Sequence, residues 1–277
     1  MAWLGLFGSR PWGGMAKSTA PVYRGDVIYS GRDEYGDVAV VQEVTSRTLH
    51  FGSTARQSTM LMADPTRLAL SYTRCMVGGL LLAPPPRSAL VLGLGGGSLP
   101  KFLLRHFAEC RIDAVEMRAC VAAVARRYFS LPEDERLALH VEKAEDFLCR
   151  TDIGPYDWLL IDLYDCDGMA SVLDEPDLFL RCRALLSERA VLSVNLWTGN
   201  RAEFLDRIRA RLAEAFGQRV LLLPVAGKSN TVALAFNAPM PVLNDQRLYQ
   251  RAAQLQALYE IEFVDFLRDL MRYNAMA

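Results

Sequence analysis

The chain has 277 residues, 51% of them hydrophobic and 23% charged, with 32 acidic against 31 basic residues and a formal net charge of −1. That length can bury a core large enough for one α/β unit and a smaller companion, while a net charge near zero supplies no global field for nucleic acid or an anionic membrane. No uninterrupted apolar run reaches the ~20 residues that a membrane span requires, so the chain reads as a cytoplasmic protein with neither nucleic-acid nor membrane partners.

Taken in order, residues 1–20 read as a flexible or incorrectly extended terminus. Trp3 to Phe7 is apolar but too short for a secretory segment, Arg10-Pro11 follows at once, and Met15 offers a second start. Residues 21–65 form a small β-hairpin unit, with β-like runs at Asp37–Val44 and Arg47–Phe51 around the turn Thr45-Ser46. Apolar residues at helical spacing predict a helix over Thr66–Leu82, which opens a main unit of residues 66–277. Pro84-Pro85-Pro86 is a rigid spacer.

From Ser88 the chain alternates. Strands are expected at Leu90–Gly93, Ile112–Glu116, Ala138–Val141, Trp158–Asp162, Ala190–Asn195, Val220–Leu223 and Thr231–Phe236. Helical patterns fall at Leu99–Phe107, Ala119–Tyr128 and Ala202–Phe216, and a terminal helical region runs from Asp245 to Tyr273. Such alternation predicts a Rossmann-like parallel sheet covered on both faces, closed by an antiparallel hairpin around Gly227-Lys228-Ser229-Asn230. Ligands of such sheets bind at the carboxyl ends of the strands. The six cysteines contain no C-x-x-C pair and have no nearby histidines, so they read as reduced core residues and no metal site is expected. His50, His106 and His140 are scattered and read as packing residues.

Two segments carry chemistry. The first is Val91-Leu92-Gly93-Leu94-Gly95-Gly96-Gly97, followed one strand later by Glu116. A strand ending in a glycine turn, then an acid at the end of the next strand, suits a nucleoside whose ribose hydroxyls the carboxylate accepts. The spacing Gly93, Gly95, Gly97 is that of S-adenosylmethionine-type sites, since a dinucleotide reading puts Ser98 in place of the third glycine. A purely structural turn is the bland alternative. The second segment ends a buried strand at Asp162 and continues through Asp165 and Asp167. Three carboxylates in one turn repel one another unless a metal, an amine or a sulfonium sits among them, or unless they form a solvated acidic turn. Paired carboxylates also raise one another's pKa, which suits a general base. Asp157, at the strand's start, reads as structural.

With these motifs in place, the sequence from about Tyr35 onward resembles the spermidine synthases, the polyamine aminopropyltransferases, in a divergent bacterial branch. The resemblance rests on Tyr72, the glycine turn, Val115-Glu116-Met117, and the spacing of Tyr156, Asp157, Asp162 and Asp165. It implies a methyltransferase-like fold, decarboxylated S-adenosylmethionine as donor, a small amine as acceptor, no metal and a homodimer. By position it gives Glu116 the ribose, Gly93, Gly95 and Gly97 the nucleoside and its tail, and Lys143-Ala144 the place that contacts adenine. Asp162 becomes the proton acceptor, with Asp165, Tyr72 and Tyr164 on the acceptor. This chain departs from the pattern at Gly96 (an aspartate in the family), Tyr35-Gly36 (Tyr-Gln), Thr73-Arg74 (His-Glu), Lys143-Ala144 (Asp-Gly) and Met169 (proline). Two other readings stand beside aminopropyl transfer. One is methyl transfer from S-adenosylmethionine itself, whose carboxylate an all-glycine turn would not repel. The other is nucleoside binding without turnover. Trp197 and Asn200 follow the fifth strand, as pocket lining or as packing.

Overall fold

The computed structural model describes residues 21–165, 168–197, 199, 202–239, 243 and 245–274. The reading of residues 1–20, Asp167 and Asn200 lies outside the described residues, as does the side chain of Asp165.

The N-terminal part is larger than the hairpin expected from sequence. Four antiparallel strands, β1 (Asp26–Asp33), β2 (Gly36–Gln42), β3 (Ser46–His50) and β4 (Ser58–Leu61), pair in simple sequential order. β1 lies at the sheet edge with none of its residues buried, which leaves little apolar signal in the sequence. One face of this sheet buries Val38, Val40, Leu49, Phe51 and Met60 against Val121, Val124 and Phe129. That packing holds the segment after β3 over the carboxyl edge of the main sheet.

The expected helix over Thr66–Leu82 is mostly absent. Thr66 is caught in a turn by Asp64, whose Oδ1 accepts from its N–H at 2.9 Å and its hydroxyl at 2.6 Å. The α-helix α1 spans only Ser71–Met76, and a 3-10 turn continues over Val77–Leu81. The glycines at 78 and 79 are poor helix formers, and tight packing of this turn replaces the regular helix.

The main sheet has seven strands: β5 (Ser88–Leu92), β6 (Arg111–Val115), β7 (Leu137–His140), β8 (Tyr156–Ile161), β11 (Leu186–Trp197), β12 (Val220–Pro224) and β13 (Asn230–Phe236). Their spatial order is β12-β13-β11-β8-β5-β6-β7. Strands β11, β8, β5, β6 and β7 are parallel neighbours, and β12 and β13 close the sheet as an antiparallel hairpin. A two-residue pair, β9 (Tyr164–Asp165) with β10 (Gly168–Met169), follows β8. Helices α2 (Ser98–His106), α3 (Ala119–Tyr128), α4 (Ala144–Phe147), α5 (Leu178–Ala184) and α6 (Ala202–Phe216) connect the strands. The terminal helical region is broken at Glu260 into α7 (Gln246–Tyr259) and α8 (Phe263–Asn274).

Both faces of the sheet are covered, which explains the near-continuous apolar runs of its central strands. Trp158, Leu160, Val191 and Leu234 face α1, α7 and α8, whereas Leu159, Ile161, Leu192 and Val194 face α5 and α6. Asp157 plays the structural part expected of it. Its Oδ2 accepts the N–H groups of Arg87 and Ser88, and its Oδ1 accepts the Ser187 hydroxyl. Cys75, Cys110 and Cys182 are buried, but Cys149 is exposed and so departs from the core reading. The three histidines pack: His50 bonds Thr48 and Ala55, His106 lies against Phe102 and Tyr259, and His140 bonds Asp113. No described helix is long and apolar enough to cross a membrane.

Candidate active site

Sheet register brings the two chemical segments to one edge. The ladder ends at Leu92 paired with Val115 on one side and Ile161 on the other. One residue further, Gly93 N–H donates to Val115 O at 2.9 Å, Asp162 N–H to Leu92 O at 2.9 Å, and Glu116 N–H to His140 O at 3.0 Å. Gly93, Glu116 and Asp162 therefore stand level at the carboxyl ends of three adjacent strands. A side chain at Gly93, where φ is +91°, would collide with the Asp162 carbonyl oxygen. Glycine is required there because donor turn and acidic strand end touch through their backbones.

Glu116 is only 8% exposed. Its Oε2 accepts from Leu94 N–H at 3.2 Å and its Oε1 from Arg118 N–H at 3.0 Å. Burial raises its pKa, and backbone donors from Arg118, Leu94 and Gly95 pull the other way. Beside these backbone donors the carboxylate keeps lone-pair capacity for a ligand hydroxyl. The Arg118 guanidinium is pinned from the opposite side. It donates to both oxygens of Asp33 at 3.0 and 2.7 Å, donates to Gly36 O at 2.9 Å, and lies 4.6 Å from the Phe51 ring centroid. The N-terminal sheet is thereby fastened beside the glycine turn. Lys143 is exposed at the N-cap of α4 and Ala144 is buried in its first turn, both beyond Glu116 on the β7 side.

Beside Asp162 opens a cavity of about 620 Å³. Its walls include Phe51, Tyr72, Tyr164 and Trp197, with Gly95 at the donor side and Arg56, Lys228 and Asn230 around it. The smaller cavity of 520 Å³ lies under α7, lined by Arg67, Arg74, Arg105 and Tyr259, away from both strand ends. Arg74 pairs there with Glu262 at 2.9 Å, and the Thr73 hydroxyl donates to Leu70 O at 2.7 Å. Neither residue of the altered triplet faces Asp162.

Asp162 is gripped by side chains. Its Oδ2 accepts from the Tyr72 hydroxyl at 3.1 Å, and its Oδ1 accepts from Asn195 Nδ2 at 2.9 Å. Burial pushes the carboxyl up to about 6, against the lowering effect of the Asn195 and Tyr72 donors. Tyr72 itself is raised by burial and by the Asp162 charge, so its proton stays on oxygen. Burial and the same charge raise Tyr164, whose hydroxyl donates to Asn195 O at 3.3 Å. The backbone N–H of Trp197 donates to the Met169 sulfur at 3.1 Å, and Trp197 lines the cavity wall. Asp165 follows in β9, one residue beyond Tyr164.

Asn195, Asn230, Arg56 and Gln57 are not among the site residues expected from the sequence. A polar Asn inside the apolar run Leu192–Leu196 is the signal that could have found Asn195, since a buried amide needs partners. The segment of Arg56 and Gln57 carries no such signal, because the packing of the N-terminal sheet alone brings it to the cavity. The place that the resemblance gives to an aspartate, Gly96, is closed. A Cβ built there would lie 2.7 Å from Ser58 Oγ and 2.8 Å from the Phe129 ring.

This architecture has named relatives. The polyamine aminopropyltransferase of Chromobacterium violaceum is 33% identical over 240 residues, covering 86% of this chain and 90% of that one. The chain belongs to the polyamine aminopropyltransferase family. No protein-family model matches it. A probable spermidine synthase from Corynebacterium glutamicum superposes with a TM-score of 0.70 at 14% identity, over 83% of this chain and 88% of that one. Human methyltransferase-like protein 13, in complex with SAH, gives 0.62 at 24% identity over 69% of this chain and 93% of that one. At such identities the two structures speak for the fold: the parallel α/β sheet expected from the strand–helix alternation, in the methyltransferase-like form that the resemblance implies. In this aminopropyltransferase-family chain the edge that carries Glu116 and Asp162 is the carboxyl edge of that sheet.

Proposed function

We propose that the protein transfers the aminopropyl group of decarboxylated S-adenosylmethionine to a small amine, with Asp162 as proton acceptor. The observation that carries this reading is the placement of Asp162: a carboxylate raised to about 6 by burial, held by two side-chain donors in an aromatic-walled cavity beside the glycine turn. The nucleoside lies along the glycine turn, Gly93, Gly95 and Gly97, with Glu116 on the ribose and Lys143-Ala144 toward adenine. The acceptor enters past Tyr72, Tyr164 and Asp165. We also propose that residues 66–277 form the catalytic unit, that residues 21–65 form an accessory sheet, and that the protein acts as a cytoplasmic homodimer.

The chemistry follows from the acceptor's charge. A free alkylamine has a pKa of about 10.4, so at neutral pH its nitrogen is protonated and has no lone pair to give. As the nitrogen approaches the methylene carbon beside sulfonium, its proton passes to an Asp162 oxygen. The nitrogen lone pair forms the new C–N bond while the C–S bond breaks, and its electrons neutralise the sulfonium as methylthioadenosine leaves. A carboxylate near 6 is a stronger base than an ordinary one yet still ionised at pH 7, the balance general-base catalysis favours. Aromatic walls suit two cations that must be desolvated together. Once Asp162 is protonated, the Tyr72 hydroxyl has a second acceptor in Gln57 O at 3.3 Å, so its donor need not stay on the carboxyl.

Calorimetric titration with decarboxylated and with intact S-adenosylmethionine tests the donor, followed by methylthioadenosine release in an amine screen. Preferred binding of the decarboxylated form and amine-dependent release are expected. Preference for the intact donor, with methyl transfer, would replace this reading.

A further inference from the structure

We propose that Asn230 is a positioning residue for Asp162, acting through the Asn195 amide to fix which end of that amide faces the carboxylate. The inference rests on Asp162 being the proton acceptor of the reaction proposed above. Asn230 opens β13 at the end of the hairpin turn, and Asn195 lies near the end of β11, 2% exposed and level with Asp162 across the sheet. Asn230 Nδ2 donates to Asn195 Oδ1 at 3.0 Å, and Asn195 Nδ2 donates to Asp162 Oδ1 at 2.9 Å.

The direction of this chain is fixed by chemistry. An ionised carboxylate only accepts hydrogen bonds, so Asn195 must present its NH₂ to Asp162. Its carbonyl oxygen then points at Asn230, which must present an NH₂ in turn. Reversing either amide puts two acceptors or two donors face to face in a site shielded from water, where unmet hydrogen-bonding groups are costly. The same Asn230 Nδ2 also donates to the Tyr164 hydroxyl at 3.5 Å, while that hydroxyl donates to the Asn195 backbone carbonyl. Donors therefore run one way, from the hairpin to the base. Among the described side chains, the charged and titratable groups that share the cavity with Asp162 are Tyr72 from α1, Tyr164 from β9, Arg56 from the N-terminal segment and Lys228 from the hairpin. Arg56 is matched by Glu43 at 2.8 Å. Among the described residues, only Tyr72 and Asn195 donate to the Asp162 side chain.

Asn230→Asp is the decisive variant, because it keeps the shape and offers only acceptors. The Asn195 NH₂ then turns toward residue 230 and leaves its carbonyl against Asp162, which favours the protonated carboxyl. Two readouts follow the change: ¹³C carboxyl titration of Asp162 and the acid limb of kcat/KM for methylthioadenosine release. An upward shift of about one pH unit is expected in both, or about tenfold less activity at a fixed pH below the limb. In an Asn195→Leu background the same substitution should shift neither appreciably, since the route through the amide is gone. An equal shift in both backgrounds would mean a direct field from residue 230, and no shift in either would mean a structural role; each overturns the proposal. Asn230→Leu, which is uncharged, gives a smaller shift of the same sign and replaces Asn230→Asp should that variant not fold. Wild-type protein that releases no methylthioadenosine with any amine would overturn the aminopropyl reading, and the carboxyl titration would still decide the positioning.

Discussion

Two carboxylates stand level at one sheet edge, and what surrounds them differs in kind. Glu116 is held by backbone N–H groups of Leu94 and Arg118, donors fixed by the glycine turn and by the strand end. Asp162 is held by the side chains of Tyr72 and Asn195, donors that can be turned or reassigned. Burial raises both acids. A carboxylate fixed by main chain is suited to binding a ligand without changing charge. One held by side chains is suited to gaining and losing a proton. Equal position in a fold does not mean equal chemistry; the donor type decides.

Asp162→Asn separates the two acids most sharply. We expect kcat to fall by roughly 10²–10⁴-fold, the usual worth of a general base, with donor binding unchanged by calorimetry. The same variant should be more stable at alkaline pH. The folded carboxyl titrates at about 6, above the ordinary value of about 3.9, so its contribution to stability is present below about pH 4 and lost as pH rises through about 6. At most about 3 kcal/mol is involved, at ~1.4 kcal/mol per pH unit. Thermal melts should show a higher Tm for the variant at pH 8 and a much smaller difference at pH 4. An unchanged Tm at pH 8 would mean that Asp162 is not strained by its burial.

Glu116→Gln probes the other half. A glutamine offers one acceptor oxygen where two are used, so donor affinity should weaken by roughly 10–100-fold, equivalent to one charge-assisted hydrogen bond. The Tm should fall at the same time, and kcat at saturating donor should hold. A fall in kcat with intact affinity would reverse the roles assigned to the two acids. Tyr72→Phe is smaller: losing a donor that lowers the Asp162 pKa moves the acid limb of kcat/KM upward by less than about one unit. Activity should drop several-fold near pH 6 and little at pH 8. Smallest of all, Lys228→Glu on the exposed rim should lower KM for a dicationic acceptor by about two- to fivefold at low salt, and the effect should vanish at high salt.

Much of the main sheet was legible because its signals are local. The apolar runs at Leu90, Ile112 and Trp158, the helix patterns Ala119–Tyr128 and Ala202–Phe216, and the glycine turn each announce themselves within a dozen residues. Gly93, Glu116 and Asp162 could be placed at one edge because parallel strands share a direction. What depends on cross-strand neighbours could not be read. Asn195 and Asn230 are 35 residues apart and bond only because β11 and β13 pair antiparallel. Gln57 reaches Tyr72 through the docking of a separate sheet. The missing helix over Thr66–Leu82 shows the same limit from the other side: a periodic apolar pattern records burial, and a short helix followed by a 3-10 turn buries the same residues.

The closed space at Gly96 reaches well beyond the turn itself. An aspartate there would have to displace the Ser58 hydroxyl and the Phe129 ring, which already fill the direction its side chain would take. Phe129 in turn packs with Val121 and Val124 under the N-terminal sheet. The glycine is thus a keystone: any side chain placed on it presses on the seam between the glycine turn and the N-terminal sheet.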